Sequence, residues 1–84
     1  MDIQKLLSKL QRLLDADRRE QVAKRNSLKK VLKKLRKRRD TLQQEVAGIE
    51  DDGDRRQILE QIQVLNAQRQ KGVALLRELR ESKS

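Results

Sequence analysis

The chain has 84 residues and a formal net charge of +9, and it contains no aromatic residue, proline, cysteine or histidine. Without cysteine, disulfides and thiolate metal sites are excluded, and without histidine the commonest catalytic base is missing. We therefore expect no enzyme, no metal and no cofactor. More than half of the residues are Ala, Glu, Lys, Leu or Arg, which together with helical periodicity is typical of coiled coils and long helices. The composition predicts one all-α domain over residues 1–84.

The first predicted helix covers about residues 2–47. Apolar residues recur there at every seventh position, with one polar exception, in the series Leu7, Leu14, Gln21, Leu28, Leu35, Leu42 and Ile49. Such a repeat indicates a helix with one buried stripe. Asp17 and Glu20 have the spacing of a capping box, so a new helix starting at Asp17 is the alternative. Because no glycine or proline interrupts the stretch, we favour the continuous helix.

An acidic turn at about residues 48–53 separates this helix from a second one at about residues 54–82. Gly48 and Gly53 bracket the turn, and Gly48 is suited to a left-handed helix C-terminus. Asp54 is the predicted N-cap of the second helix, with Gln57 reaching back to it. The second helix also carries a heptad repeat, which runs through positions 58, 62, 65, 69, 72, 76 and 79 and is weakened at Arg69 and Gly72.

Two helices joined by a short turn predict an antiparallel hairpin of the coiled-coil type. Folding about residue 51 leaves the leucine-rich segment 2–14 without a partner in the hairpin. This segment either folds back as a short third helix or pairs with a second copy. We expect a homo-oligomer and favour a dimer that forms a helical bundle. The expected oligomer interface consists of Ile3, Leu7, Leu10, Leu14, Leu28 and Leu35.

The strongest charge feature is a basic run over residues 24–39, which has ten cations and no acid. These candidate contacts to an anion or a nucleic acid are Lys24, Arg25, Lys29, Lys30, Lys33, Lys34, Arg36, Lys37, Arg38 and Arg39. Charge runs are usually solvated helix faces, but the second helix offers little acid to neutralise this one. The basic run therefore predicts an anionic partner, either an acidic protein or a nucleic acid.

The turn forms a candidate acidic tip made of Glu50, Asp51, Asp52 and Asp54. An EF-hand register with Gly53 at the sixth loop position places Gly48 and Leu59 at the first and twelfth positions, where ligands are required. The tip is therefore not expected to be a calcium loop, and its aspartates are explained by capping of the following helix.

The sequence thus predicts a small non-catalytic interaction or assembly factor that self-associates and presents a charged surface. The alternative is a non-specific nucleic-acid-binding protein that uses residues 24–39. No aromatic side chain is available to stack on bases, so such binding would follow the phosphate backbone. The longest apolar run is only residues 73–76, so no membrane span is expected, and cytoplasmic localisation is the expectation.

Overall fold

The computed structural model describes residues 3–81, which fold into four α-helices and no strand. The helices are α1 (Ile3–Asp15), α2 (Arg18–Ala23), α3 (Arg25–Ala47) and α4 (Asp52–Glu81). The predicted all-α class is confirmed. Residues 2 and 82, at the outer limits of the two predicted helices, lie outside the described residues.

The predicted continuous helix over residues 2–47 is wrong, because the chain turns between α1 and α2. Asp17 has an extended backbone (φ −70°, ψ 166°), and its carboxylate accepts the backbone N–H of Glu20 at 2.8 Å. The capping-box alternative therefore describes this segment. The turn lets α1 fold back on α3 and α4, so that Leu6, Leu10 and Leu13 are buried. A continuous rod would leave this stripe in water, and its burial favours the turn.

The helices α2 and α3 are almost one helix with a joint at Lys24. Lys24 donates its backbone N–H to the Glu20 carbonyl at 2.9 Å, and its own carbonyl accepts from Leu28 at 3.0 Å. The ladder of backbone hydrogen bonds therefore passes through the joint. Gln21 is buried here, and its Nε2 donates to the carbonyls of Leu13 and Leu14 at 3.1 and 3.2 Å. This side chain ties the end of α1 to α2.

The connection between α3 and α4 is shorter than predicted, since α4 already begins at Asp52. Gly48 has a right-handed conformation (φ −98°, ψ 0°), so the expected left-handed terminus is wrong. The N-cap is Asp51, whose Oδ2 accepts the Asp54 backbone N–H at 2.9 Å. The prediction of Asp54 as the cap is therefore also wrong. Asp54 lies inside the first turn of α4, where its negative charge interacts favourably with the positive end of the helix dipole.

The core consists of leucine, isoleucine and valine contributed by α1, α3 and α4. Its buried members are Leu6, Leu10, Leu13, Leu28, Val31, Leu32, Leu35, Leu42, Ile62, Leu65, Leu75 and Leu79. The three helices meet at Gly72 of α4, which lies against Leu32 of α3 and Leu10 of α1. The resulting molecule is elongated, with dimensions of 50 × 20 × 17 Å.

Three residues of the expected oligomer interface belong instead to this internal core. Leu10, Leu28 and Leu35 are each at most 1% exposed within a single chain, so they have no surface left for a second copy. The other three, Ile3, Leu7 and Leu14, are half-buried against the core. The leucines of α1 thus have partners within the chain, which removes the main reason for expecting them to require a dimer.

Candidate functional site

The outer face of α3 carries most of the basic run. Burial of the helix is confined to Leu28, Val31, Leu32, Leu35 and Leu42, so the positions between them turn outward. Arg25, Arg38 and Arg39 are half-buried, and the other seven cations are exposed, namely Lys24, Lys29, Lys30, Lys33, Lys34, Arg36 and Lys37. The structure therefore presents these seven charges to solvent along one stretch of helix.

Very little of this charge is neutralised within the chain. Among residues 3–81, the ion pairs of the basic run are those of Lys24 with Glu20, at 2.9 Å, and of Arg39 with Asp40, at 3.2 Å. Both pairs are local in sequence, and water reaches at least one partner of each, so each contributes little to stability. The remaining eight cations have no carboxylate within ion-pair distance in the described part of the chain.

One flank of α3 faces α1 and forms a groove of about 260 Å³. Lys34, Lys37 and Arg38 line it together with Leu6 and Thr41. The Nε of Arg38 is shielded from solvent and has no hydrogen-bond partner among residues 3–81. This flank therefore combines basic groups with a small apolar floor.

The other flank of α3 faces α4, which adds a further cation beside the basic run. Arg69 of α4 is half-buried, and its Nε has no hydrogen-bond partner in the described structure. Burial lowers the pKa of the Arg69 guanidinium, the charges of Arg39 and Arg36 lower it further, and Asp40 raises it. Arginine remains charged under all ordinary conditions. Arg36, Arg39 and Arg69 therefore form a cluster of like charges shared by two helices.

Arg69 is not one of the contact residues that the sequence predicts. The sequence shows it as a polar interruption of the heptad repeat in the second helix, on the stretch that the predicted hairpin places beside the basic run. The available signal was a cation at an inward-facing position opposite a run of cations, which is costly unless something compensates it.

The candidate acidic tip lies at the connection between α3 and α4, where Glu50, Asp51, Asp52 and Asp54 are all exposed. Asp51 is engaged as the helix cap. The described residues contain no group of three or more acidic, histidine or cysteine side chains placed to hold a metal ion. Asp51 therefore has a structural role at the start of α4, and the exposed acids lie at the α3–α4 connection.

A second groove, of about 360 Å³, lies between the start of α1 and the first half of α4. Ile3, Leu7 and Val64 supply its apolar lining, and Val64 is 53% exposed. Gln57, Glu60 and Gln61 form the polar edge. Two of the predicted interface residues, Ile3 and Leu7, therefore do reach an accessible surface.

None of the helices described is both long enough and apolar enough to cross a membrane. The chain matches no protein-family model, no curated protein and no solved structure.

Proposed function

We propose that this protein is a non-catalytic nucleic-acid-binding protein whose α3 helix contacts the phosphate backbone. The observation that supports the proposal is the exposure of seven cations of the basic run, six of them without an ion pair in residues 3–81. A helix of sixteen residues extends for about 24 Å, so the charges can follow several successive phosphates. Lysine and arginine on such a face release counterions from the polyanion, which drives binding.

The expected binding is independent of base sequence. The chain has no aromatic side chain that could stack on bases, and exposed lysines act as point charges toward phosphates. Duplexes of unrelated sequence should therefore bind with equal affinity, and affinity should fall steeply as salt is added.

Fluorescence anisotropy with labelled DNA duplexes and an RNA hairpin, measured over a salt series, tests the proposal. Replacing Lys29, Lys30, Lys33 and Lys34 by Gln should reduce the salt slope by about 0.9 for each phosphate that the variant no longer neutralises. A charge-matched control replaces the exposed Arg55, Arg56, Lys71 and Arg77 by Gln and should change the slope less. Absence of binding by the unaltered protein at low salt would remove the proposal.

The groove lined by Ile3, Leu7 and Val64 supports a second candidate function, that of an interaction or assembly factor that self-associates. Apolar side chains that remain accessible at one groove favour contact with another protein surface. Light scattering at micromolar concentration should then show a dimer or a larger assembly. A monomer at every concentration tested would exclude this candidate and leave the nucleic-acid proposal unaffected.

A further inference from the structure

We propose that Arg36, Arg39 and Arg69 together bind one phosphate group of a nucleic-acid backbone. The inference rests on the proposed function and deepens it, since it assigns the tightest contact to a defined place. It also adds a residue of α4, outside the basic run, to the binding surface.

The packing of α3 against α4 places the three arginines on facing turns, where their charges act on one another. Gly72 lies against Leu32, and Arg69 precedes Gly72 by three residues, or about one helical turn. On α3, Arg36 and Arg39 follow Leu32 by four and seven residues, which places them on the same helix face. The helices α3 and α4 run in opposite directions. Residues one turn before Gly72 on α4 therefore lie beside residues one to two turns after Leu32 on α3. The cluster is therefore a consequence of helix register.

The cluster has more positive charge than residues 3–81 compensate. Asp40 is the carboxylate that acts on it, and Asp40 is already paired with Arg39 at 3.2 Å. Three guanidinium groups and one carboxylate leave two positive charges. Arg39 and Arg69 are half-buried, where repulsion between like charges is stronger than in bulk water. A second anion beside these side chains would offset that repulsion.

A second observation is that the Nε of Arg69, like the Nε of Arg38 and the Oε1 of Gln68, is shielded from solvent without a hydrogen-bond partner among residues 3–81. Buried donors in native proteins are almost always hydrogen-bonded, and an exception asks for an explanation such as an anion that binds there. A phosphate group suits three arginines, because its several oxygens accept hydrogen bonds from more than one planar guanidinium fork. A carboxylate has only two oxygens and would serve fewer donors.

Anisotropy titrations of the intact chain with a labelled DNA duplex test the site. Arg69→Gln should weaken binding by about tenfold, as expected for loss of a charge-assisted hydrogen bond. The matched control is Arg77→Gln, which removes the same charge from an exposed position of α4 and should weaken binding much less. Arg69→Lys retains the charge without the fork, so its affinity should lie between those of the unaltered protein and Arg69→Gln.

Thermal melting without nucleic acid distinguishes a binding role from a structural one. Arg69→Gln relieves repulsion from Arg36 and Arg39, so it should melt at the same or a higher temperature than the unaltered protein. If Arg69→Gln melts at a lower temperature, the duplex affinity of Arg36→Gln is compared with that of Arg77→Gln instead. Arg36 is suitable because its position is exposed. A greater loss of affinity in Arg36→Gln then supports the site.

Two results would overturn the inference. One leaves the proposed function standing, and the other removes it as well. If the unaltered protein binds the duplex but the Arg69 or Arg36 variant loses no more affinity than Arg77→Gln, the cluster is not a phosphate site and the proposed function stands. If the unaltered protein does not bind nucleic acid at low salt, both proposals fail together.

Discussion

Gly72 and Leu32 are packed so closely that a Cβ atom added to Gly72 would lie 2.6 Å from Leu32 Cδ2. The same atom would lie 3.0 Å from Leu10 Cδ1. The glycine therefore allows α4 to approach α3 and α1 at the point where all three helices meet. This close approach also sets the register that places Arg69 beside Arg36 and Arg39.

Gly72→Ala should destabilise the protein even though alanine favours helices. The gain in helix propensity is about 1 kcal/mol, whereas overpacking a core typically costs about 1–3 kcal/mol. Leu32 and Leu10 are 5% and 0% exposed, so both are enclosed by neighbouring side chains that must shift if they move. We expect the free energy of unfolding, measured in urea, to fall by about 1 kcal/mol.

The variant Leu32→Val provides the control, because it removes the atom nearest to the added methyl group. In a double-mutant cycle, Gly72→Ala should cost less in the Leu32→Val background than in the unaltered protein. An increase in stability on Gly72→Ala alone would mean that the neighbouring leucines move aside freely.

Gln21→Leu should also lower stability, although it makes a buried position more apolar. The carbonyls of Leu13 and Leu14, at the end of α1, both accept a hydrogen bond from the Gln21 side chain. Leucine cannot donate, and leaving a buried carbonyl unpaired costs about 1–3 kcal/mol, partly offset by the gain in apolar burial. Urea unfolding should show a net loss of about 1 kcal/mol. Gln63→Leu, at an exposed position of α4, should have no effect, and an equal effect of the two variants would contradict the capping role.

The helical class and much of the core could be predicted from sequence because both depend on local periodicity. Leu28, Leu35 and Leu42 of one heptad series are buried, as are Ile62, Leu65 and Leu79 of the other. A repeat of this kind fixes which face of a helix is apolar without reference to the rest of the chain.

The turn at Asp17 could not be decided in the same way. A capping hydrogen bond stabilises a helix start by only about 1 kcal/mol, and local sequence also allowed a continuous helix. The deciding contribution is the burial of Leu6, Leu10 and Leu13 against helices that follow much later in the chain. Contacts of this range are not visible in a periodic pattern.

The arginine cluster depends on the register between α3 and α4, that is, on which residues of the two helices lie side by side. That register depends on the close packing of Gly72 against Leu32 as well as on the connection, and α4 begins at Asp52, two residues earlier than predicted. Arg69 could therefore be placed beside the basic run as an interruption of the heptad, but not beside Arg36 and Arg39 in particular.

The start of α4 offers a direct comparison between two neighbouring aspartates. Asp51→Ala removes the oxygen that accepts the Asp54 backbone N–H, so it should lower the free energy of unfolding by about 1 kcal/mol. Asp54→Ala removes a charge but no capping bond and should cost less. Asp51→Asn, which keeps an accepting oxygen, should remain close to the unaltered protein. A larger loss for Asp54→Ala than for Asp51→Ala would show that the cap is Asp54 after all.

Substitutions at Leu10 and Leu7 test folding and self-association separately. Leu10 is fully buried between α1, α3 and α4, whereas Leu7 is half-buried at the groove with Ile3 and Val64. Leu10→Asp places a carboxylate in the core without a partner, at a cost of several kcal/mol. It should therefore abolish cooperative melting followed by circular dichroism, as expected for a small domain with marginal stability.

Leu7→Asp should retain the helical spectrum, because its charge can reach water at the edge of the groove. If the protein self-associates through this groove, Leu7→Asp should also reduce the sedimenting mass to that of one chain. Val22→Asp, at an exposed valine of α2, is the control and should leave both the spectrum and the mass unchanged. A folded, dissociated Leu10→Asp variant would contradict the structure, since it would place Leu10 at an interface between copies rather than in the core.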